Sequence, residues 1–256
     1  MQHSFIDKYS DIESFIHRLD PRVKIITAIF LVISIVFTSP TAFLAFALYA
    51  LVIAVLLFLS KIPMGYVFRK SLVIIPFVFM IAVFIPFFKE GEVAGGYSFG
   101  TFELNVTYSG LTVFWNVLIK AYLSILCMIL LVASTRYSVF LKALQKLKFP
   151  AVLIMVLSFM YRYIFVIADE LMKMKQAKDS RSVGGSRWLH VKTLANMIGT
   201  LFVRSYERAE SVYMAMCSRG FNGSVSTVYD FRIKNRDIFF MLVIIGALVF
   251  IKVTAG

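Results

Sequence analysis

Long uninterrupted apolar runs dominate the hydropathy pattern of this chain. No charged residue occurs between positions 25 and 60 or between positions 71 and 88. A third run, 104–134, carries one charge, Lys120, and a fourth occupies 238–251. Because a helix crosses the hydrocarbon core of a bilayer with about 20 apolar residues, these runs predict membrane-spanning helices.

The first run is long enough for two crossings. The segment "FTSPTAF" at 37–43 supplies turn-forming residues near its middle. Backbone polar groups in lipid must be satisfied within the segment itself, which a helix achieves. We therefore predict five spanning helices, at about 23–39, 41–60, 69–88, 109–134 and 237–254.

The charged residues are unevenly distributed along the chain, which has a formal net charge of +13. Segment 134–236 contains 17 of the 27 Lys and Arg residues, whereas loop 89–108 contains one lysine and three glutamates. Lys and Arg collect in cytoplasmic loops of membrane proteins, so the charge indicates topology rather than nucleic-acid binding. We predict a cytoplasmic N-terminus, an outer loop that favours a small hairpin, and a C-terminus outside.

Three amphipathic helical patterns follow the fourth predicted span. The first covers 136–150 and stops at Pro150, the second starts at Ala151, and the third runs from about Trp188 to Gly220. The predicted fold is an all-α integral membrane protein with about five transmembrane helices plus a cytoplasmic domain of amphipathic helices between spans four and five. The predicted segments are a cytoplasmic N-terminus 1–22, transmembrane helices 23–134, a cytoplasmic helical domain 135–236 and a final transmembrane helix 237–256.

Two of these helices end in similar short motifs, "KDSRSVGG" and "MCSRGFNG". A cation near a helix C-terminus is favourable by about 0.3–1 kcal/mol. The planar fork of arginine also matches a carboxylate on a partner. Two interpretations are open: ordinary helix ends, or anchors that dock another protein. The candidate residues are Ser180, Arg181, Ser182, Ser218, Arg219 and Gly220.

Signatures of catalysis are absent from the sequence. It contains no GxxxxGK[ST] phosphate loop, no HExxH and no nucleophile elbow, and its three histidines lie far apart. Lys120 is the one ionisable residue deep in a predicted span. Two interpretations of Lys120 are open: it pairs with a partner subunit or a carbonyl inside the bundle, or it snorkels or contacts the outer loop. We predict no enzyme activity, no metal site and no cofactor in this chain.

Four segments resemble the transmembrane T component of energy-coupling factor (ECF) transporters, specifically the cobalt type, CbiQ. They are "FIDKYS" with "HRLDPRVK" before the first span, "IPFVFMIAVFIPFF" in the third, "MKQAKDSRS", and "ERAESVYMAMCSRGF". The last two stand where that family has two arginine motifs, usually Ala-Arg-Gly. Here Ser218 replaces the alanine of the second motif, and Ser180 and Ser182 flank Arg181.

The resemblance implies a non-catalytic coupling subunit of an importer. Such a subunit joins a membrane S component (CbiM type), often with a small accessory membrane protein, to two ABC ATPase subunits (CbiO type) that bind ATP and Mg. Its coupling helices lie across the ATPases, with both arginine motifs in grooves on them. It implies cobalt uptake, linked to cobalamin biosynthesis. The alternatives are a T component for nickel or a vitamin, a stand-alone permease, or a membrane enzyme acting on lipid.

Overall fold

The computed structural model describes residues 14–40, 42–88, 93–99, 102–181, 187–221, 223 and 234–255. The described residues form two compact units. We call residues 14–140 with 234–255 the span unit and residues 141–223 the helix-pair unit. The elements, in chain order, are α1 Pro21–Val36, α2 Phe43–Ser60, α3 Met64–Ala82, α4 Ile85–Phe88, β1 Val93–Phe99, β2 Phe102–Thr107, α5 Tyr108–Ala133, α6 Tyr137–Lys146, α7 Ala151–Arg181, α8 Arg187–Cys217 and α9 Asn235–Ala255.

Helix α5 is the centre of the span unit. It contacts α1, α2, α3 and α4, and α9 packs against α1 and α2. The interior is apolar, and its most buried large side chains include Leu31, Ile35, Tyr49 and Ile53. The span unit is therefore a helical bundle, as the apolar runs predict.

The predicted outer loop contains two strands within its described residues. β1 and β2 pair antiparallel, with Tyr97 opposite Leu104 and Phe99 opposite Phe102. The register shifts between Val93 and Gly95. The predicted hairpin within 89–108 is confirmed, and it stands inside an otherwise helical fold.

The third predicted span, 69–88, is interrupted in the structure. α3 begins earlier, at Met64, and ends at Ala82, after which the short α4 carries Pro86. Pro86 has no N–H to donate to the carbonyl of Ala82, four residues earlier, which favours a break here, whereas Pro76 is accommodated within α3. A Cβ on Gly110 of α5 would lie 2.7 Å from the Cα of Pro86. Glycine is therefore needed where α5 passes this break.

Five helices are long and apolar enough to cross a membrane: α2, α3, α5, α7 and α9. The number agrees with the sequence prediction, but the set differs. The predicted span 23–39 corresponds to α1, which has 16 residues. α7 meets the requirements of length and composition although it lies in the predicted cytoplasmic domain, because Arg162 is the one charge in its first 18 residues. The cytoplasmic assignment of 135–236 stays a prediction.

A buried carboxylate joins the starts of α1 and α9. Asp237 accepts hydrogen bonds from the backbone N–H of Asp20 (3.1 Å) and from that of Lys234 (2.9 Å). Asp20 is itself the N-cap of α1, because its carboxylate accepts the N–H of Arg22 at 2.9 Å, with Pro21 at the first helical position. Asp237 is 2% exposed, and its bond with Asp20 is buried, whereas its bond with Lys234 is partly buried.

Lys24 adds the end of α5 to this cluster. Its Nζ donates to the carbonyl of Ser134, the C-cap of α5, at 2.9 Å, and to that of His17 at 3.3 Å. Lys24 also interacts electrostatically with Asp20 and Asp237. The buried charges are therefore hydrogen-bonded to backbone groups and lie near opposite charges, and together they hold three helix ends at one end of the bundle.

We predict that Asp237→Ala lowers the free energy of unfolding by about 2–4 kcal/mol, because a buried and a partly buried backbone N–H lose a charged acceptor. Thermal unfolding of the full-length protein in detergent measures this. Asp179→Ala is the control, since the side chain of Asp179 is 54% exposed. Equal shifts of the melting temperature in both variants would show that Asp237 does not hold the bundle together.

We predict that Lys148→Gly raises the free energy of unfolding by up to about 1 kcal/mol. Lys148 has φ +64° just after α6, a left-handed conformation that glycine adopts without steric cost. The same change at Lys146, the last residue of α6 and in helical conformation, should instead lower stability by up to about 0.5 kcal/mol. Destabilisation by both substitutions in the same thermal assay would contradict the prediction.

Candidate functional site

The first arginine motif lies in the last turn of α7. Ser180 turns its hydroxyl back onto its own helix, where Oγ donates to the carbonyl of Gln176 at 2.9 Å. Arg181 is the final helical residue and is exposed. Ser182, the third predicted member, lies outside the described residues.

The second arginine motif forms a complete helix termination. The N–H of Phe221 donates to the carbonyl of Met216 at 3.1 Å, and the N–H of Gly220 donates to that of Cys217 at 3.0 Å. This pair of bonds defines the Schellman motif, which requires a left-handed residue after the helix. Gly220 has φ +77°. The sequence interpretation of Gly220 as the terminating residue is therefore confirmed, and Arg219 stands immediately before it.

The two motifs share one local geometry. Ser218 donates from Oγ to the carbonyl of Met214 at 2.9 Å, four residues back, as Ser180 does to Gln176. Arg181 and Arg219 are both exposed, and neither guanidinium is bonded to another residue of the described chain. The serines are satisfied within their own helices, so the arginines are the groups at these ends that can bind a partner.

An ion pair joins the two long helices at some distance from their ends. Arg204 of α8 donates from Nη1 to Oε1 of Glu170 on α7. α7 and α8 contact each other along a short part of their length, next to a groove of about 770 Å³. Side chains from both helices line this groove, among them Met160, Tyr163, Ile167 and Leu201.

Sequence reasoning missed the pair between Glu170 and Arg204, because the two residues are 34 positions apart on different helices. A signal was present in the helical spacing. Glu170 follows Ile167 by three residues and Arg204 follows Leu201 by three, so each charge shares a face with an apolar residue. A charge on an apolar face of each helix indicates a contact between the helices.

The helix-pair unit leaves large apolar surfaces uncovered. Ile154 is the one buried side chain of α7, and no side chain of α8 is buried among those that the structure describes. Phe202 is 71% exposed and Trp188 76%. Exposed apolar surface of this extent is typical of contact with a membrane or another protein.

Lys120 lies within the span unit and binds the end of α1. Its Nζ donates to the carbonyl of Val36 at 2.9 Å and to that of Thr38 at 2.6 Å. The carbonyl of Val36 would otherwise face Pro40, which has no N–H. The ammonium also lies 5.9 Å from the ring centroid of Phe46. Lys120 thus contacts backbone carbonyls at the end of α1, where the two bonds are exposed and partly buried, and its role in the membrane stays a prediction.

Metal-binding groups do not converge among the described residues. No cluster of three or more His, Cys, Asp or Glu side chains occurs there. Cys127 is buried and Cys217 exposed, and both are free thiols.

Comparison with known proteins agrees with this arrangement. The family model "Cobalt transport protein" (CbiQ) matches residues 13–229. An uncharacterized protein of Methanocaldococcus jannaschii is 30% identical over 254 aligned residues, which cover 96% of this chain and 86% of the relative. The energy-coupling factor transporter transmembrane protein EcfT of Streptococcus thermophilus is 30% identical over 237 aligned residues, which cover 88% of this chain and 87% of the relative.

EcfT of Bacillus subtilis is 29% identical over 269 aligned positions, covering 98% of each chain. The matched region contains α1 to α8 and both arginine motifs. The chain therefore belongs to the CbiQ family, the family of transmembrane T components of ECF transporters that its arginine motifs resemble.

Proposed function

We propose that this chain couples ATP hydrolysis by two ABC ATPase subunits (CbiO type) to transport by a membrane S component (CbiM type). The main support for this proposal comes from the helix-pair unit. Its helices have exposed apolar faces, and the two arginines at its helix ends have no partner among the described residues. The family match supports the same role. ATP and Mg are bound by the ATPases, and the substrate by the S component, so this chain supplies the mechanical connection.

Each arginine end is suited to a groove on one ATPase. A guanidinium offers a rigid fork of donors that binds a carboxylate with two parallel bonds. Next to Arg219, Gly220 has no side chain, and a Cβ there would meet open space. A partner surface can therefore approach the backbone at this end. Two such ends, one on each long helix, match two ATPase subunits.

The ion pair between Glu170 and Arg204 transmits motion between these ends. When the ATPases close on ATP, they displace the ends of two 31-residue helices. Helices joined at a fixed contact move as a connected pair, so displacement at one end reaches the rest of the unit. Lys and Arg are concentrated in segment 134–236, which contains the helix-pair unit. We therefore place this unit in the cytoplasm together with the N-terminus, and the C-terminus outside.

Cobalt is the substrate we propose for the complete transporter, and nickel or a vitamin are the alternatives. The S component determines which of them is bound. The name of the matching family model supports cobalt. A stand-alone permease is less well supported, because Lys120, the ionisable residue deep in the spans, is occupied by backbone carbonyls.

We predict that Arg219→Glu abolishes association with the ATPase subunits and that Arg181→Glu weakens it less. Charge reversal removes the bidentate bond and adds repulsion from the partner carboxylate, a change of at least about tenfold in affinity. Co-purification of the ATPases with the tagged, co-expressed chain measures this.

Lys173→Glu and Lys192→Glu are the matched controls, since both are exposed on the same helices and lie outside the two motif segments. Membrane insertion should be unchanged in all variants. Full ATPase recovery with the Arg181→Glu/Arg219→Glu double variant would refute docking through these residues.

We predict that Arg204→Glu uncouples ATP hydrolysis from transport while the ATPases remain bound. The pair is partly exposed, with Arg204 56% accessible, so stability should change by less than about 1 kcal/mol. The exchange Glu170→Arg/Arg204→Glu restores opposite charges and should restore transport per ATP hydrolysed in the reconstituted complex. If the exchange variant stays as uncoupled as the single variant, the ion pair is not the connection.

A further inference from the structure

A basic cavity lies at one end of the span unit, separate from the arginine motifs. It has a volume of about 510 Å³, and three cationic residues line it: Arg18, Lys61 and Arg236. These residues come from three separate segments: the stretch before α1, the C-cap of α2 and the first turn of α9. No acidic side chain is among its described lining residues.

The fold holds these cations together at specific points. The guanidinium of Arg236 donates from Nη2 to the backbone carbonyl of Arg18 at 2.9 Å. An arginine has five N–H donors, so this bond orients the group and leaves others for a ligand. The neighbouring carboxylate of Asp237 is buried and bound to two backbone N–H groups, so it does not line the cavity.

The position of Lys61 also favours a ligand outside the chain. It follows the last residue of α2 in a left-handed conformation, with φ 55°. Its side chain is exposed and makes no hydrogen bond or ion pair with another residue in the described ranges. An exposed lysine at the end of a spanning helix lies at the depth of lipid head groups.

The remaining wall of the cavity is apolar and exposed. It is formed by Phe15, Phe58 and Leu59, and Phe58 is 80% exposed at the end of α2. α2 is apolar enough to cross a membrane, so this wall continues from the hydrocarbon region up to the cations. A free inorganic anion would use the cations alone, whereas a molecule with a phosphate and acyl chains would use both surfaces.

We infer that this cavity binds an anionic phospholipid, with its phosphate on Arg18, Lys61 and Arg236 and an acyl chain along Phe15 and Phe58. Basic pockets between transmembrane helices at the membrane surface bind such head groups. The lipid would bridge α2 and α9 next to the buried Asp237 cluster. Bound lipid would therefore stabilise the same end of the bundle.

The test measures lipid binding to the full-length protein, purified in detergent and stripped of lipid. Native mass spectrometry counts bound dioleoyl phosphatidylglycerol and dioleoyl phosphatidylcholine, and thermal unfolding follows stabilisation by each lipid. The wild type should retain the anionic lipid preferentially. Lys61→Gln/Arg236→Gln should weaken it by about 25-fold, since each basic residue at a membrane surface contributes roughly a factor of five.

The matched control is Arg69→Gln/Lys70→Gln, which removes one arginine and one lysine from the neighbouring helix α3 outside the cavity. It should retain wild-type binding. If the double cavity variant does not fold, the single variant Lys61→Gln tests the inference instead. Its affinity for the anionic lipid should fall by about fivefold. The inference would be overturned if the wild type retained both lipids equally, or if the control lost as much binding as the cavity variant. It would also be overturned if inorganic phosphate displaced the anionic lipid and stabilised the protein as much as the lipid does.

Discussion

The carboxylate of Asp237 connects the beginning of the bundle to its end. It accepts hydrogen bonds from the N–H of Asp20 at the start of α1 and from that of Lys234 at the start of α9. Asp237 itself is 2% exposed to solvent. A helix start has unpaired N–H groups, and a buried carboxylate satisfies them with charge-assisted bonds. Packing of α9 against α1, and the meeting of Arg18 with Arg236, both depend on this link.

The C-terminal ends of α1 and α5 have unpaired carbonyl groups, and lysine side chains donate hydrogen bonds to them. Lys24 of α1 binds the carbonyl of Ser134 at the end of α5, and Lys120 of α5 binds that of Val36 at the end of α1. Each helix thus caps the other, which fixes an antiparallel pair within the core. Arg181 and Arg219 also stand at helix ends, but their guanidinium groups have no partner among the described residues. In our proposal the ATPases supply that partner.

Hydropathy alone predicted most of the bundle, because burial in lipid demands long apolar helices. It placed α2, α5 and α9 within a few residues. It failed at the third span, because α3 begins at Met64, before the charged Arg69 and Lys70, and because the break before Pro86 lies within an apolar run. It also gave no hint that Asp20 would meet Asp237, since a contact across 217 residues leaves no local pattern.

The arginine motifs were visible in the sequence, but their serines could be interpreted only from the structure. The resembling family usually has alanine before the arginine, and a serine there could have competed for the partner's hydrogen bonds. Ser180 and Ser218 instead donate to carbonyls four residues back in their own helices. Each hydroxyl is thereby used internally, and the serine presents little more than alanine would. In our proposal, recognition at both ends is therefore left to Arg181 and Arg219, so the charge at these two positions, rather than the small residue beside each, should decide docking.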